Sequence, residues 1–271
     1  MNMSWFEGLF YGLVSGIAEF LPISSQAHQR LLMLLFGVDH RDPLRDLIVN
    51  LMLLISVYTV CKPLIEQRRQ ISAGRHIRGS SSGLEQRLLK NAAIPLLIGI
   101  LLLRYILPVN ENLFTTAIFL LINGVILYIP ERMIHANKDA RSMSLFDSLL
   151  IGTAGALSAF TGISRLGAMS AAATARGSAR DKALNWALIL CMPALILLAG
   201  INMISIFSAE GRMHITGSFF SYVFSAAGAY LGGYFGITLI KSVSNRTSMA
   251  FFAYYSWGAA LLSFLLYLIV V

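Results

Sequence analysis

Four side chains in this 271-residue sequence could do chemistry together, and each sits in an apolar run. They are Glu19, Ser25, His28 and Arg165. A charge at the centre of a bilayer costs about 3 kcal/mol or more, so residues like these face partners or a cavity. Arg165 offers a planar five-donor fork suited to phosphate. Glu19 can hold a divalent cation or act as a base. His28, nine residues on, can shuttle a proton near neutral pH. A carboxylate, an imidazole, hydroxyls and a guanidinium together suit phosphoryl chemistry. Pro22 and Gly162 break the helices beside them. The freed N–H groups, with Ser24, Ser25 and Ser164, make a donor-rich pocket, and half-helix N-termini favour anions. Structural readings stand beside these. Glu19 and Arg165 also fit an ion pair, His28 an interfacial histidine near Arg30, and the serines helix caps.

The elements that must carry these residues follow from composition. Hydrophobic residues make up 56% of the chain and charged residues 13%, about half the charged share of an ordinary soluble domain. Mean hydropathy is +0.70. Lipid is the natural solvent for such a chain, in an all-α polytopic fold. The net charge of +8 reads as loops facing an anionic leaflet; no aromatic-interleaved basic motif argues for nucleic acid. The two cysteines, Cys61 and Cys191, support neither a disulfide framework nor a metal site. No Lys or Arg precedes residue 30, so a cleavable signal peptide is not expected.

Six runs are long and apolar enough to span: about 44–62, 91–108, 112–130, 183–207, 217–240 and 250–270. Two others, 4–37 and 145–180, are broken by Gly, Ser and ionisable residues. Cations cluster at 62–90, 131–144, 176–182 and 241–249, which the positive-inside rule places in the cytoplasm. Run 145–180 must then enter and return on one side, and 4–37 dips from the other. The chain reads as a single transmembrane domain, 1–271. A re-entrant helix hairpin and three spans (about 1–130) precede a second, inverted copy (about 145–271), with a cytoplasmic loop at 63–90. A shift of 140 residues supports the repeat: Phe20, Ile23 and Ser24 fall on Phe160, Ile163 and Ser164, and Pro22 on Gly162. Inverted repeats place their sites near the midplane. Arg176 and Arg180 read as cytoplasmic anchors. The glycines at 228, 232, 233 and 236 read as close helix packing. His40, His76, His135 and His214 fall in polar loops and carry no signal. The Gly-Ser-rich stretch 79–83 reads as a flexible loop.

The stretch from Gly12 to His28, with Glu19-Phe20-Leu21-Pro22-Ile23-Ser24-Ser25 at its centre, resembles the undecaprenyl-diphosphate phosphatase family, also known as the bacitracin-resistance proteins. So does Thr161-Gly162-Ile163-Ser164-Arg165-Leu166-Gly167. The specific motifs cover about 35 residues; the hydropathy likeness covers the chain. The resemblance implies an inverted-repeat fold in the cell membrane, hydrolysis of a C55 lipid diphosphate with release of inorganic phosphate, and Mg²⁺ or Ca²⁺. It implies Glu19 as catalytic or metal-binding carboxylate, Ser25 as nucleophile or phosphate ligand, and His28 as acid/base partner. Arg165 would clamp the diphosphate with Ser24, Ser164 and the Gly162 backbone. A homodimer is among the assemblies it allows. The sequence also departs from the family: Ser15 stands where Glu or Gln is usual, removing one potential metal ligand. Ala18, Gln26, Ala27, Gly155, Thr161, Leu166, Met169 and Ser256 replace other familiar residues. Two functions follow. One is a phosphatase recycling the carrier lipid. The other is a transporter or flippase for a polyprenyl phosphate or related anion, without hydrolysis.

Overall fold

A computed structural model describes residues 3–38, 40–72, 82–106, 112–133, 138, 140, 142–208, 212–215, 217–244 and 248–270. The expectations for His76, His135, Arg75, Arg78, Arg141, Arg246 and most of the 79–83 linker lie outside them. The described elements are helices: α1 (Trp5–Phe20), α2 (Ser25–Leu35), α3 (Pro43–Ser72), α4 (Ser82–Ile106), α5 (Leu113–Glu131), α6 (Leu145–Ala156) with a 3₁₀ turn at Leu157–Ala159, α7 (Arg165–Ala175), α8 (Arg180–Phe207), α9 (Phe219–Val243) and α10 (Ala250–Val270). Among the described residues the only β feature is an isolated bridge between Lys138 and Ser178.

Six of these helices, α3, α4, α5, α8, α9 and α10, are long and apolar enough to cross a bilayer, at roughly 20 residues per crossing. The chain is a multi-pass membrane protein. α1, with 16 residues, falls short of a crossing at about 1.5 Å per residue. Pro22 stops it, having no N–H and forcing the residue before it out of the helical region. The chain turns through residues 21–23 and restarts at Ser25. α6 instead passes into the 3₁₀ turn, and the chain reverses through Gly162, whose φ is +128°, before α7 begins. α1 packs on α2, as α6 packs on α7.

The 140-residue offset extends well beyond the motif. It carries the first residue of α1 onto that of α6, and both ends of α2 onto those of α7. It also carries one helix start onto the other. Ser4 and Glu7 form a capping box, the Ser4 N–H donating to Glu7 at 2.6 Å. Ser144 and Asp147 repeat it, with the Ser144 N–H donating at 2.8 Å. Such reciprocal caps satisfy two orphan donors each. Packing follows the same exchange: α1 lies along α9 and α6 along α4; α3 meets α8 and α5 meets α10; α9 touches α3 as α4 touches α8.

α3 runs ten residues past the apolar segment read from sequence, and α4 starts nine residues before its own. Helix therefore covers much of the basic 63–90 region. A Lys62–Glu66 pair at 3.8 Å, one turn apart, supports the extension. At the basic end, Arg180 reaches Glu131 at 2.5 Å and Arg176 pairs with Asp147. These two arginines tie α8 to α5 and α7 to α6, which adds to the anchoring role read from sequence.

Small residues let α1 and α9 touch backbone to backbone. A Cβ on Gly12 would sit 2.2 Å from the Ser225 carbonyl oxygen, and one on Gly232 2.3 Å from that of Leu13. Gly233 differs, facing Ser56 of α3. Gly12→Val is expected to force α1 off α9 and to destabilise the fold by about 1–3 kcal/mol or more, the usual range for overpacking. A drop in the thermal midpoint of the detergent-solubilised protein checks this; an unchanged midpoint would mean that the two helices can move apart freely.

Candidate active site at two crossing helix breaks

The two breaks cross and bond to each other. Ser24 caps α2 and Ser164 caps α7, accepting from Ala27 N–H at 3.5 Å and Gly167 N–H at 3.1 Å. The capping role considered for these serines is real, and each also reaches the opposite break. The Gly162 N–H donates to Ser24 Oγ at 3.2 Å, and Ser164 Oγ donates to the Leu21 carbonyl at 3.3 Å. Ser24 holds φ at 68°, outside the usual range for serine, with its hydroxyl accepting from the opposite break.

Asn123 of α5 straps the junction. Fully buried, it donates to the Pro22 carbonyl at 3.1 Å and to Ser256 Oγ at 3.0 Å, and accepts from the Ser164 N–H at 2.9 Å. It supplies the partners that broken backbone must have inside a membrane. Sequence reasoning passed over Asn123. The available signal was an amide in the middle of an otherwise apolar span.

Ahead of the junction lie the charges. Arg165, the first residue of α7, donates from Nη1 to Glu19 Oε1 at 2.8 Å and from Nε to Ser158 Oγ at 3.2 Å. Ser25, the first residue of α2, donates its hydroxyl to the other Glu19 oxygen. Ser25 and Arg165 are thus counterparts under the 140-residue offset, one from each break, meeting on a single carboxylate. Glu19 and Arg165 are 8% and 5% exposed. Removing either partner from a pair buried this deeply typically costs about 3–5 kcal/mol. Glu19, Ser25 and Arg165 line a small polar cavity of about 40 Å³ that continues to Gln29, Arg41, Asp46 and Arg104.

The structure does not bring the other expected residues to that cavity. His28 is not among its lining. Nδ1 of its ring lies 2.8 Å from the Ser24 carbonyl and Nε2 lies 2.7 Å from the Tyr255 hydroxyl. A proton on Nδ1 satisfies the carbonyl, and Nε2 then accepts from the tyrosine. The ring is stacked on Tyr255 at 5.7 Å between centroids, so it is turned toward α10. The ring of His28 thus bonds to the Ser24 carbonyl, exposed where α2 begins, and to Tyr255 rather than to Glu19. Ser24, Gly162 and Ser164 lie in the junction behind the cavity. The N–H groups of Gly162 and Ser164 are already spent on Ser24 and Asn123 rather than free for an anion. The first turn of α2, through Ser25 and Gln26, does line the cavity, and its leading N–H groups have no acceptor within the helix.

A divalent cation at the junction would draw on Glu19, with waters and substrate phosphate oxygens completing its shell. Such ions gather six or more oxygens, usually from several carboxylates, carbonyls and waters. Both Glu19 oxygens are engaged, and Ser15 spends its hydroxyl on the Tyr11 carbonyl at 2.5 Å while accepting from Gln29 at 3.1 Å. Among the described residues no three His, Cys, Asp or Glu side chains gather into one cluster.

Two helix–break–helix units, set among six membrane-length helices and sharing a buried carboxylate, define a class: integral-membrane proteins with a polar site at the crossing of two helix breaks. The family model described as Bacitracin resistance protein BacA matches residues 8–262, and the chain belongs to that family. Its relatives include proteins named undecaprenyl-diphosphatase. The one from Halothermothrix orenii is 27% identical over 255 residues, covering 94% of this chain and 95% of the relative. The one from Carboxydothermus hydrogenoformans is 27% identical, covering 94% of each. That from Treponema denticola is 27% identical, covering 93% of this chain and 94% of its own.

Proposed function

We propose that this chain is an integral-membrane phosphatase that hydrolyses a polyprenyl diphosphate of the undecaprenyl type to the monophosphate and inorganic phosphate, returning the carrier lipid to use. One observation carries the reading. Ser25 donates its hydroxyl to a carboxylate that Arg165 holds in place, inside a polar cavity at the crossing of two helix breaks. A nucleophile bonded to a base, with the base oriented by a third group, is the general arrangement for covalent catalysis.

Glu19 accepts the Ser25 proton as Ser25 Oγ attacks the terminal phosphorus. The new bond is Oγ–P; the bond broken is P–O to the bridging oxygen, which leaves on the polyprenyl monophosphate. Arg165 Nη2 has no protein partner among the described residues and meets the charge on the phosphoryl oxygens, where preorganised donors act most strongly. Glu19 gives the Ser25 proton up to the departing monophosphate. Water then attacks the phosphoserine, passing a proton to Glu19, which returns it to Ser25 Oγ as the Oγ–P bond breaks and inorganic phosphate leaves. Mg²⁺ or Ca²⁺, held by Glu19, would add charge stabilisation at the phosphoryl oxygens. The two halves are inferred to lie in opposite orientation across the membrane. Three spans separate the hairpins, and an odd number reverses the second copy.

The test is phosphate release by purified protein from several prenyl diphosphates. Wild type is expected to release phosphate. Ser25→Ala should lose about 10³-fold or more while staying folded, because nucleophile and base act as a unit. Absence of release with every substrate would overturn the phosphatase. Transport of a prenyl phosphate across proteoliposomes without release would put a carrier in its place.

A further inference from the structure

The cavity extends well past Glu19, Ser25 and Arg165. Its far wall is built from Arg41, Asp46 and Asn50 at the start of α3, Arg104 in the last turn of α4, and Asn202 of α8. Arg41 precedes α3 and Arg104 nearly ends α4, so both lie at the end of the bundle away from the basic α3–α4 connection. Neither belongs to the two motif stretches.

The charges in this wall do not cancel. Three arginines and two carboxylates line the whole cavity. Glu19 is matched by Arg165 at 2.8 Å. Asp46 sits 4.0 Å from Arg41 and accepts from the Tyr11 hydroxyl at 3.0 Å. Arg104 makes no ion pair with a carboxylate among the described residues. Among the described lining residues the Arg104 guanidinium has no carboxylate matched to it, and an unmatched cation in a polar recess concentrates anions. Asn50 and Asn202 add neutral donors. Inorganic phosphate formed at Ser25 cannot leave through hydrocarbon, where a charge is costly; this recess adjoins it and has the opposite sign.

We propose that the Arg41–Arg104 recess is a second anion subsite, which takes inorganic phosphate after it leaves Ser25. The proposal rests on the phosphatase reading and adds a product site to it. Asp46 keeps the subsite weak by competing for Arg41. An exit needs that property, since its binding must favour entry without blocking departure. The ligand chemistry is a phosphate group, whether free or on a lipid head, and the commitment here is to free phosphate.

The test uses the full chain in detergent, with thermal unfolding followed in inorganic phosphate against chloride at matched ionic strength. Farnesyl monophosphate provides a lipid-headgroup arm. Phosphate is expected to raise the midpoint of wild type and of Ser25→Ala alike. That shift should disappear in Arg41→Gln/Arg104→Gln, whereas the farnesyl monophosphate shift persists. Arg104→Gln alone should weaken the phosphate shift and guards against misfolding, because Arg104 is exposed and makes no ion pair with a carboxylate among the described residues. In turnover assays the inhibition constant for phosphate should rise about tenfold in the double variant, a change of about 1.4 kcal/mol in binding. An undiminished phosphate shift in the folded variants, or no shift in wild type, overturns the subsite. Equal loss of both shifts makes the recess a headgroup site and overturns the commitment to free phosphate. None of these midpoints depends on hydrolysis, so the phosphatase stands or falls separately on its own assay.

Discussion

Arg165→Ala is expected to lower phosphate release by about 10²- to 10³-fold, the usual loss when one preorganised donor to developing charge is removed. It should also destabilise the fold. Glu19 would stay buried with its Oε1 unpartnered, an uncompensated charge that typically costs about 3–5 kcal/mol. Arg165→Lys should recover little, because the fork that spans Glu19 and Ser158 needs both Nε and Nη1. The informative comparison is Glu19→Gln combined with Arg165→Gln. That variant removes both charges and retains groups able to hydrogen-bond. If the pair serves catalysis, the double variant should regain much of the thermal midpoint lost by Arg165→Ala and remain without phosphate release. If the pair only holds the halves together, midpoint and activity should return together. The second outcome would sink the roles given to Glu19 and Arg165.

The residues that make this experiment worth doing were visible in the sequence for a physical reason. Glu19 and Arg165 are charges in apolar runs, and lipid makes such placements rare enough to stand out. Pro22 and Gly162 were visible because each interrupts a helix where a membrane tolerates few interruptions. The repeat was legible only over Phe20–Ser25 and its counterpart. Its fuller form, the matched capping boxes at Ser4 and Ser144, was written in the same letters but lay outside the window compared. What the sequence concealed was direction. His28 follows Ser25 by three residues on α2, a spacing that places both on neighbouring parts of one face. Yet its ring is claimed by the Ser24 carbonyl and by Tyr255, more than two hundred residues away. Asn123 and the Arg41–Arg104 recess depend on which helices become neighbours. Pattern along one helix does not carry that information. α3 outran its apolar segment because helix formation continues in water once pairs such as Lys62–Glu66 support it.

Gly162→Ala should rank with Arg165→Ala in severity, although position 162 touches no reacting group in the proposed chemistry. Gly162 has φ at +128°, where a side chain is strained, at a typical cost of about 1–3 kcal/mol. The added Cβ would also lie 2.6 Å from Phe119 Cβ and 2.9 Å from the Leu120 backbone nitrogen on α5. α5 cannot retreat easily, because its Asn123 holds Pro22 and Ser164 at once. The turn must therefore shift, carrying Ser164 and the start of α7 with it. Arg165 is the first residue of that helix, and a displacement of about 1 Å at a reacting centre can cost about 10²-fold in rate. Gly37→Ala provides the control. That glycine also has positive φ, +63°, but a Cβ there would meet nothing within 4 Å. It should cost about 1 kcal/mol in αL strain and leave phosphate release unchanged. Midpoints and release rates measured for both variants separate backbone strain from displacement of the junction. If Gly162→Ala behaves like Gly37→Ala in both readouts, the crossing of the two breaks does not set the position of Arg165.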